Sequence, residues 1–284
     1  MNNLLVRFLN RARLLSLLNV RSQIAVVGRR INIPIRKSMG YSLLHSFEPW
    51  MIQLMQKLKP VFPGQFVDIG VNLGQTLIKA KAVFGEFQYV GFEPNPYCVA
   101  YVEELIRTNQ WKDCNLIPVG ISDKSEVLKL NFFYASTFDP SASMVPGFRE
   151  NQKVDHFIYI PVMNEAYLQA LLPRVRHCLV KIDVEGAELE VLKGLHNWIS
   201  SERPLFIIEI LPVYSADNQF RLARQQELEA LLTGLRYSIL RIGKGKLNVT
   251  ELNSIEIHGD IDKCDYVLCP EEMKTTVMAQ INSL

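Results

Sequence analysis

"FVDIGVNLGQT", Phe66 to Thr76, is a short apolar run that ends in an acid and opens into a loop with two glycines. Such a run, bounded by turn residues and followed by a helical stretch, reads as a buried strand feeding a tight turn. Gly70 and Gly74 let the backbone reverse and approach a ligand with no Cβ in the way. The helix that follows presents free amides at its N-terminus. In an open parallel sheet, ligands bind beyond the carboxyl ends of the strands. Asp68 and the Gly70–Gly74 loop occupy that position.

Outward from this stretch, apolar strands "QFVDI", "YVGF", "NLIPVGI", "CLVKID" and "LFIIEIL" alternate with helical stretches near 75–84, 96–109 and 187–199. The alternation predicts an α/β fold, a Rossmann-like, mostly parallel sheet with helices on both faces. "RQQELEALLTGLRYSILRI" adds a helix and a sixth strand, and "CDYVLC" a seventh. The link between these two strands is too short for a crossover helix, so the last strand is expected to run antiparallel. Residues 126–162 read as an inserted strand pair with a mobile Ser- and Pro-rich segment at its tip. Ahead of the alternation, "QIAVV" and "INIPI" flank a Gly-Arg-Arg turn and read as a β-hairpin, with Pro34 placing the second strand at an edge. Two units follow: a basic helix and hairpin arm, 1–47, and the main domain, 48–284.

The net charge of +2 is unevenly spread. Residues 1–47 hold eight Lys or Arg and no acid, so the remaining 23 basic residues face 29 acids, a net of −6. A nucleic-acid enzyme needs its basic groove on the catalytic body, which excludes nucleic acid as the expected partner. The five cysteines are scattered without CxxC spacing, arguing against a disulfide framework or a zinc site and for a reducing cytoplasm. No apolar run reaches the roughly 18 residues of a membrane span. "MNNLLVRFLNRARLLSLLNVR" is amphipathic at helical spacing, with arginines scattered through it, unlike a signal peptide. It is expected to form a helix packed on its own domain or on a second subunit of a homo-oligomer. The alternative is a peripheral contact with an anionic membrane at its inner face.

The second strand ends in "GFEPNP", and Glu93 stands 25 residues after Asp68, where a ribose-binding acid is expected in a nucleotide fold. The dinucleotide pattern Gly-x-Gly-x-x-Gly is absent, and the loop carries an acid and Asn72 without an adjacent Lys or Arg. That set suits a positive sulfonium with an amino-acid tail better than a pyrophosphate, and points to S-adenosylmethionine. An NAD(P)-dependent oxidoreductase is the rival enzyme class, and a non-catalytic adenosyl-binding subunit a third reading.

"FVDIGVNLGQT", "VGFEPNP", "VGISDKS", "LVKIDVEGAELEVLKGL" and "RPLFIIEI", in that order, resemble the FkbM-type S-adenosylmethionine-dependent methyltransferases from about Gly64 to about Leu211. "DYVLCP" resembles the family's last strand more weakly. The resemblance implies a seven-stranded Rossmann-like sheet of the class I methyltransferase type. It also implies O-methylation of a hydroxyl on a sugar, a glycan or glycolipid precursor, or a secondary metabolite. The sequence departs from the family at Val71, where Ala is commoner, and at "MNEAYL", where Thr-Leu-Asp is frequent.

Asp68, Gly70, Asn72, Gly74, Thr76 and Glu93 are the expected cofactor contacts, joined by Ser122 and Asp123 after the third strand, where this class touches the adenine. Asp183, ending the fourth strand, is the first candidate for a general base, followed by Glu185 and Glu209. Ser141, Ser143 and His156, in the inserted segment, are the expected acceptor contacts. Asp183, Glu185 and Glu209 match in number the oxygen ligands that magnesium takes. The Asp-Asn ligand pair of metal-dependent relatives has no counterpart, so no metal is expected. Lys181 is expected to pair with an acid, and at least one of Glu188 and Glu190 to lie on a solvated helix face.

Overall fold

The computed structural model describes residues 3–45, 48–149 and 152–283. The first described element is helix α1 (Asn3–Arg11), followed by a single 3-10 turn at Leu15–Leu17 and the antiparallel hairpin β1 (Asn19–Val26) and β2 (Arg29–Arg36). The helix is shorter than the amphipathic pattern predicts. Arg13 adopts a left-handed conformation (φ 57°), which ends the helix, and by Asn19 the chain is already a strand.

The hairpin is docked on the main domain. Helix α2 (Pro49–Leu58) follows it, then strand β3 (Gln65–Ile69), helix α3 (Gln75–Phe84), strand β4 (Gln88–Phe92) and helix α4 (Pro96–Asn109). The Tyr101 hydroxyl on α4 donates to the Pro34 carbonyl at 2.7 Å, and Asn109 exchanges two hydrogen bonds with the Asn32 backbone, each 2.8 Å. Arg36 pairs with both carboxylate oxygens of Glu104 through Nε and Nη2, and Ile24, Ile31, Ile33 and Ile35 join the cluster built by α2, α3 and α4.

Strand β5 (Cys114–Ile117) comes next, and the two-residue β6 (Gly120–Ile121) after it. The sequence reads these as one strand. Pro118 has no amide to continue the ladder, so β5 stays in the main sheet while β6 leaves it. The insertion is a hairpin, β7 (Glu126–Phe132) and β8 (His156–Met163), to which β6 adds in parallel. A short helix, α5 (Glu165–Leu168), leads to β9 (Leu179–Ile182). The helix expected at 187–199 is two, α6 (Glu188–Gly194) and α7 (His196–Glu202), joined at Leu195. Then follow β10 (Leu205–Glu209), α8 (Gln219–Gly234), β11 (Tyr237–Gly243), β12 (Asn248–Leu252), β13 (Asp265–Pro270) and α9 (Lys274–Asn282).

The main sheet runs in the order β12-β11-β13-β10-β9-β3-β4-β5. β5, β4, β3, β9 and β10 are mutually parallel, and β13 enters antiparallel to β10, as the sequence predicts. The sheet has one strand more than the seven expected, because β12, within the segment read as a link, pairs with β11 at the edge. Period-two alternation sorts the residues to two covered faces. Phe66, Tyr89, Leu179 and Ile207 pack under α2, α3, α4 and α9; Val67, Val90, Val180 and Phe206 pack under α6, α7 and α8.

Candidate active site

Strand β3 turns at Gly70, whose φ of 86° suits glycine. A Cβ there would stand 1.8 Å from the Asp183 carbonyl, so the loops after β3 and β9 touch backbone to backbone. Asn72 also has a positive φ (48°), and its side chain accepts from the Leu73 amide at 2.7 Å. Gly74, φ 83°, then starts α3. The Asn72 amide points across to β4 and donates to Glu93 Oε2 at 2.7 Å, while Glu93 Oε1 accepts from the Asn95 amide at 2.8 Å.

Glu93 therefore sits buried with both oxygens held, at the rim of a cleft. Burial pushes its carboxyl up to about 7, opposed by the two amides. Asn95 caps α4 by accepting from the Tyr97 amide at 3.1 Å, with Pro96 at the first helical position. Its amide group also donates to the Thr137 carbonyl at 2.8 Å, fastening the insertion loop over the cleft.

Asp139 organises that loop. One of its oxygens accepts from the amides of Phe133 (2.8 Å) and Tyr134 (3.2 Å), the other from the Ser141 amide (2.9 Å) and hydroxyl (2.6 Å). Ser143 exchanges backbone hydrogen bonds with Asn131, and its hydroxyl donates to the Glu185 carbonyl at 2.8 Å. The segment expected to be mobile is thus tied down by buried polar groups, and its own Met144 and Val145 pack with Phe148, Leu130 and Ile160.

The cleft has two lobes sharing Gly70, Asn72, Pro140, Asp183 and Glu185. One is apolar, walled by Phe92, Ile121, Leu130 and Met144. The other is polar, with Glu48, Gln75 and Thr76. Asp183 and Glu185 stand where the lobes meet. Glu185 adopts φ 54° and accepts from Arg149 at 2.5 Å. Burial, then the neighbouring Asp183 charge, raise its carboxyl to about 7 against the pull of Arg149. Lys181 Nζ lies 3.4 Å from Asp183 Oδ2, the acid pairing expected of it.

Of the residues singled out from sequence, Gly70, Asn72, Thr76, Glu93, Asp183 and Glu185 line the cleft, and Gly74 shapes the turn beside it. Asp68 does not line it. Alternation along β3 turns Asp68 to the same face as Phe66, where it is fully buried, accepts from the Tyr89 hydroxyl at 2.8 Å and stands opposite Lys181 on β9. Its carboxyl is raised by burial to about 7. Glu209 lies on that face too, opposite Asp265 across the sheet, and burial plus the Asp183 charge raise it to about 8. The two are outside both lobes.

Ser122 and Asp123 are likewise outside, because the chain passes the cleft at Gly120 and Ile121 before reaching them. The Ser122 carbonyl instead abuts Gly194, where a Cβ would stand 2.1 Å away. Ser141 and Ser143 serve the loop's own hydrogen bonds. His156 stacks on Phe132 (4.5 Å between ring centres) and bonds Asp155, away from both lobes. Neither Glu188 nor Glu190 is a free solvated face: Glu188 is buried and accepts from the Gly186 amide, and Glu190 pairs with Arg224 at 2.6 Å.

Asn95, Asp139 and Glu48, which line the cleft, and Arg149, which holds Glu185, are residues that sequence reading misses. Asn-Pro before a helix signals the Asn95 cap, and Asp-Pro in "TFDPSAS" signals a turn-forming acid. Glu48 and Arg149 carry no local signal.

The model of the methyltransferase FkbM domain matches residues 68–239. The chain belongs to the FkbM methyltransferase family. Among solved structures, it is similar to the methyltransferase FkbM from Methylobacillus flagellatus KT, with 18% identity over 72% of this chain and 42% of that one and a TM-score of 0.43. It thus spans less than half the length of that FkbM protein. It is also similar to the O-methyltransferase from Bacillus cereus in complex with SAH, with 11% identity, 79% and 81% coverage and a TM-score of 0.42. The SAH-bound Podospora anserina methyltransferase PaMTH1 follows, with 12% identity, 76% and 82% coverage and a TM-score of 0.40. A comparison with curated proteins found no match. The Rossmann-like, mostly parallel sheet of this FkbM-family chain is of the class I methyltransferase type.

Proposed function

We propose that this chain transfers the methyl group of S-adenosylmethionine to a hydroxyl of a sugar, a glycan or glycolipid precursor, or a secondary metabolite. The observation that carries the reading is the setting of Glu93. A carboxylate offers about four lone-pair positions. The amides of Asn72 and Asn95 occupy two of them, at 2.7 and 2.8 Å. The two that remain, at the rim of the cleft, suit the paired hydroxyls of a ribose. The apolar lobe between Phe92 and Met144 suits a flat base, and the polar lobe, with Glu48 and Thr76, suits an amino-acid tail.

Bound there, S-adenosylmethionine would supply an electrophilic methyl group on a positive sulfur. The chain's own work is to hold the acceptor in line and to take its proton. Positioning accounts for up to about 7–11 kcal/mol in favourable intramolecular models. Asp183 and Glu185, at the junction of the lobes, are the acids within reach of both. Glu185, raised to about 7, has the basicity that suits a general base near neutral pH. The loop fastened through Asp139 and Asn95 forms one wall beside that junction.

Calorimetry with S-adenosylhomocysteine and with NAD tests the cofactor. Binding of the first is expected, and heat with NAD alone would defeat the proposal. Transfer of labelled methyl to a panel of hydroxyl-bearing glycans and metabolites tests the reaction. Binding with no transfer to any of them would favour a non-catalytic adenosyl-binding subunit.

A further inference from the structure

The N-terminal arm carries an apolar surface that its own domain leaves uncovered. Val6 and Leu15 are fully buried and anchor the arm, but Leu4, Leu5 and Phe8 on α1, and Leu14, Leu17 and Leu18 after it, are 38–75% exposed. Leu4 and Phe8 are four residues apart and Leu5 lies beside them, so they form one outward stripe, and Arg7 and Arg11 run along its edge. The 3-10 turn carries Leu17 and Leu18 to the base of the hairpin, where the Leu18 carbonyl accepts from the Lys37 amide at 3.0 Å. Arg21 and Arg36 line a polar cleft there with Arg107 and with Glu104, the acid that pairs with Arg36.

We infer that this surface is a docking site for an anionic lipid bilayer. A helix that lies in a membrane interface combines an apolar face with arginines at its margin, which meet headgroup phosphates. This arm has both, and 47 residues with eight positive side chains and no negative one. A second copy of the chain fits less well, since a two-fold contact with the helices antiparallel would set the arginine edges against each other, and a bilayer meets both the apolar stripe and its arginine margin at once. Among the described residues, no helix is long and apolar enough to cross a membrane, so the contact is with the surface. The arm also touches the segment that leads to the cleft: Arg7 Nη2 lies 3.3 Å from His45 Nδ1, and Glu48, three residues on, lines the polar lobe. A bilayer bound by α1 thus lies next to the chain that enters the proposed active site, where an acceptor with a lipid tail could be presented. The docking itself does not depend on the cofactor reading.

Flotation of the full chain with vesicles tests it. Vesicles containing phosphatidylglycerol are expected to bind at least about tenfold more tightly than pure phosphatidylcholine, and binding should fall steeply from ~0.1 to ~0.5 M salt. Leu5→Glu with Phe8→Glu should lower binding by about tenfold or more. Arg7→Gln with Arg11→Gln should lower it for phosphatidylglycerol alone. Each variant is checked by its melting temperature and by calorimetry with S-adenosylhomocysteine; the Leu5 and Phe8 pair should match the parent chain in both, because these side chains face outward, and the arginine pair, which gives up the Arg7–His45 contact, should keep the affinity. Equal binding to both vesicle types, or no binding, overturns the inference. So does concentration-dependent dimerisation in analytical ultracentrifugation that the Leu5 and Phe8 substitutions abolish, which would assign the patch to a second copy.

Discussion

Glu93→Gln separates stability from ligand binding at one position. The wild-type carboxyl is buried and raised from 4.5 to about 7, so the folded chain holds its proton more tightly than the unfolded one. Its favourable contribution is complete below the unfolded value and is lost as pH rises through the folded one. At ~1.36 kcal/mol per pH unit, the ionised, buried group costs about 3 kcal/mol near pH 8 and under about 1 kcal/mol near pH 5. The glutamine is neutral at both. Its NH₂ group, however, must oppose one of the two amides, Asn72 or Asn95, which now donate to Glu93. That mismatch costs about 1–3 kcal/mol at any pH. The variant should therefore be as stable as the parent or more so near pH 8, and less stable near pH 5. The change between the two conditions, about 2 kcal/mol, is independent of the mismatch cost. Urea unfolding at both pH values measures it. At the higher pH, S-adenosylhomocysteine affinity should fall at least about tenfold, since a charge-assisted acceptor contributes ~1.5–3 kcal/mol. A stability difference that is the same at both pH values would refute the buried-acid reasoning. Undiminished affinity would refute the ribose assignment.

Four further outcomes are expected. Asp183→Asn should leave S-adenosylhomocysteine affinity within a few-fold while turnover falls by at least about 10²-fold; equal losses in both would move Asp183 into the cofactor's own contacts. Arg149→Met removes the cation that holds Glu185 down, so the acidic limb of the kcat/KM profile should move to higher pH, and an unmoved limb would exclude Glu185 as the titrating base. Gly70→Ala places a Cβ 1.8 Å from the Asp183 carbonyl at a φ of 86°, and thermal denaturation should show a loss of more than about 2 kcal/mol. Tyr89→Phe removes the hydroxyl that donates to buried Asp68, whose carboxyl should rise further. The stability loss, about 1–3 kcal/mol, should appear above about pH 7 and shrink towards pH 4, as hydrogen exchange or urea unfolding would show.

The sequence by itself determined the order of strands and helices around "FVDIGVNLGQT", because each apolar run is long enough to span a sheet and each glycine turn leaves few ways to continue. It also determined Glu93, through its place at the end of a strand one crossover after Asp68. Alternation was legible as well: Asp68, two residues after Phe66, had to share that side chain's face, and reading it as a strand-end ligand ignored the period of two. Pro118 likewise marked where the third strand divides. What the tertiary structure alone decided is which distant groups meet. Arg149 reaches Glu185 across 36 residues, Asn95 reaches Thr137 across 42, and Glu48, just before α2, lines the polar lobe. Such contacts have no local propensity to announce them. They arise from how the insertion folds back over the sheet's rim, and they set the charge and the shape of the cleft.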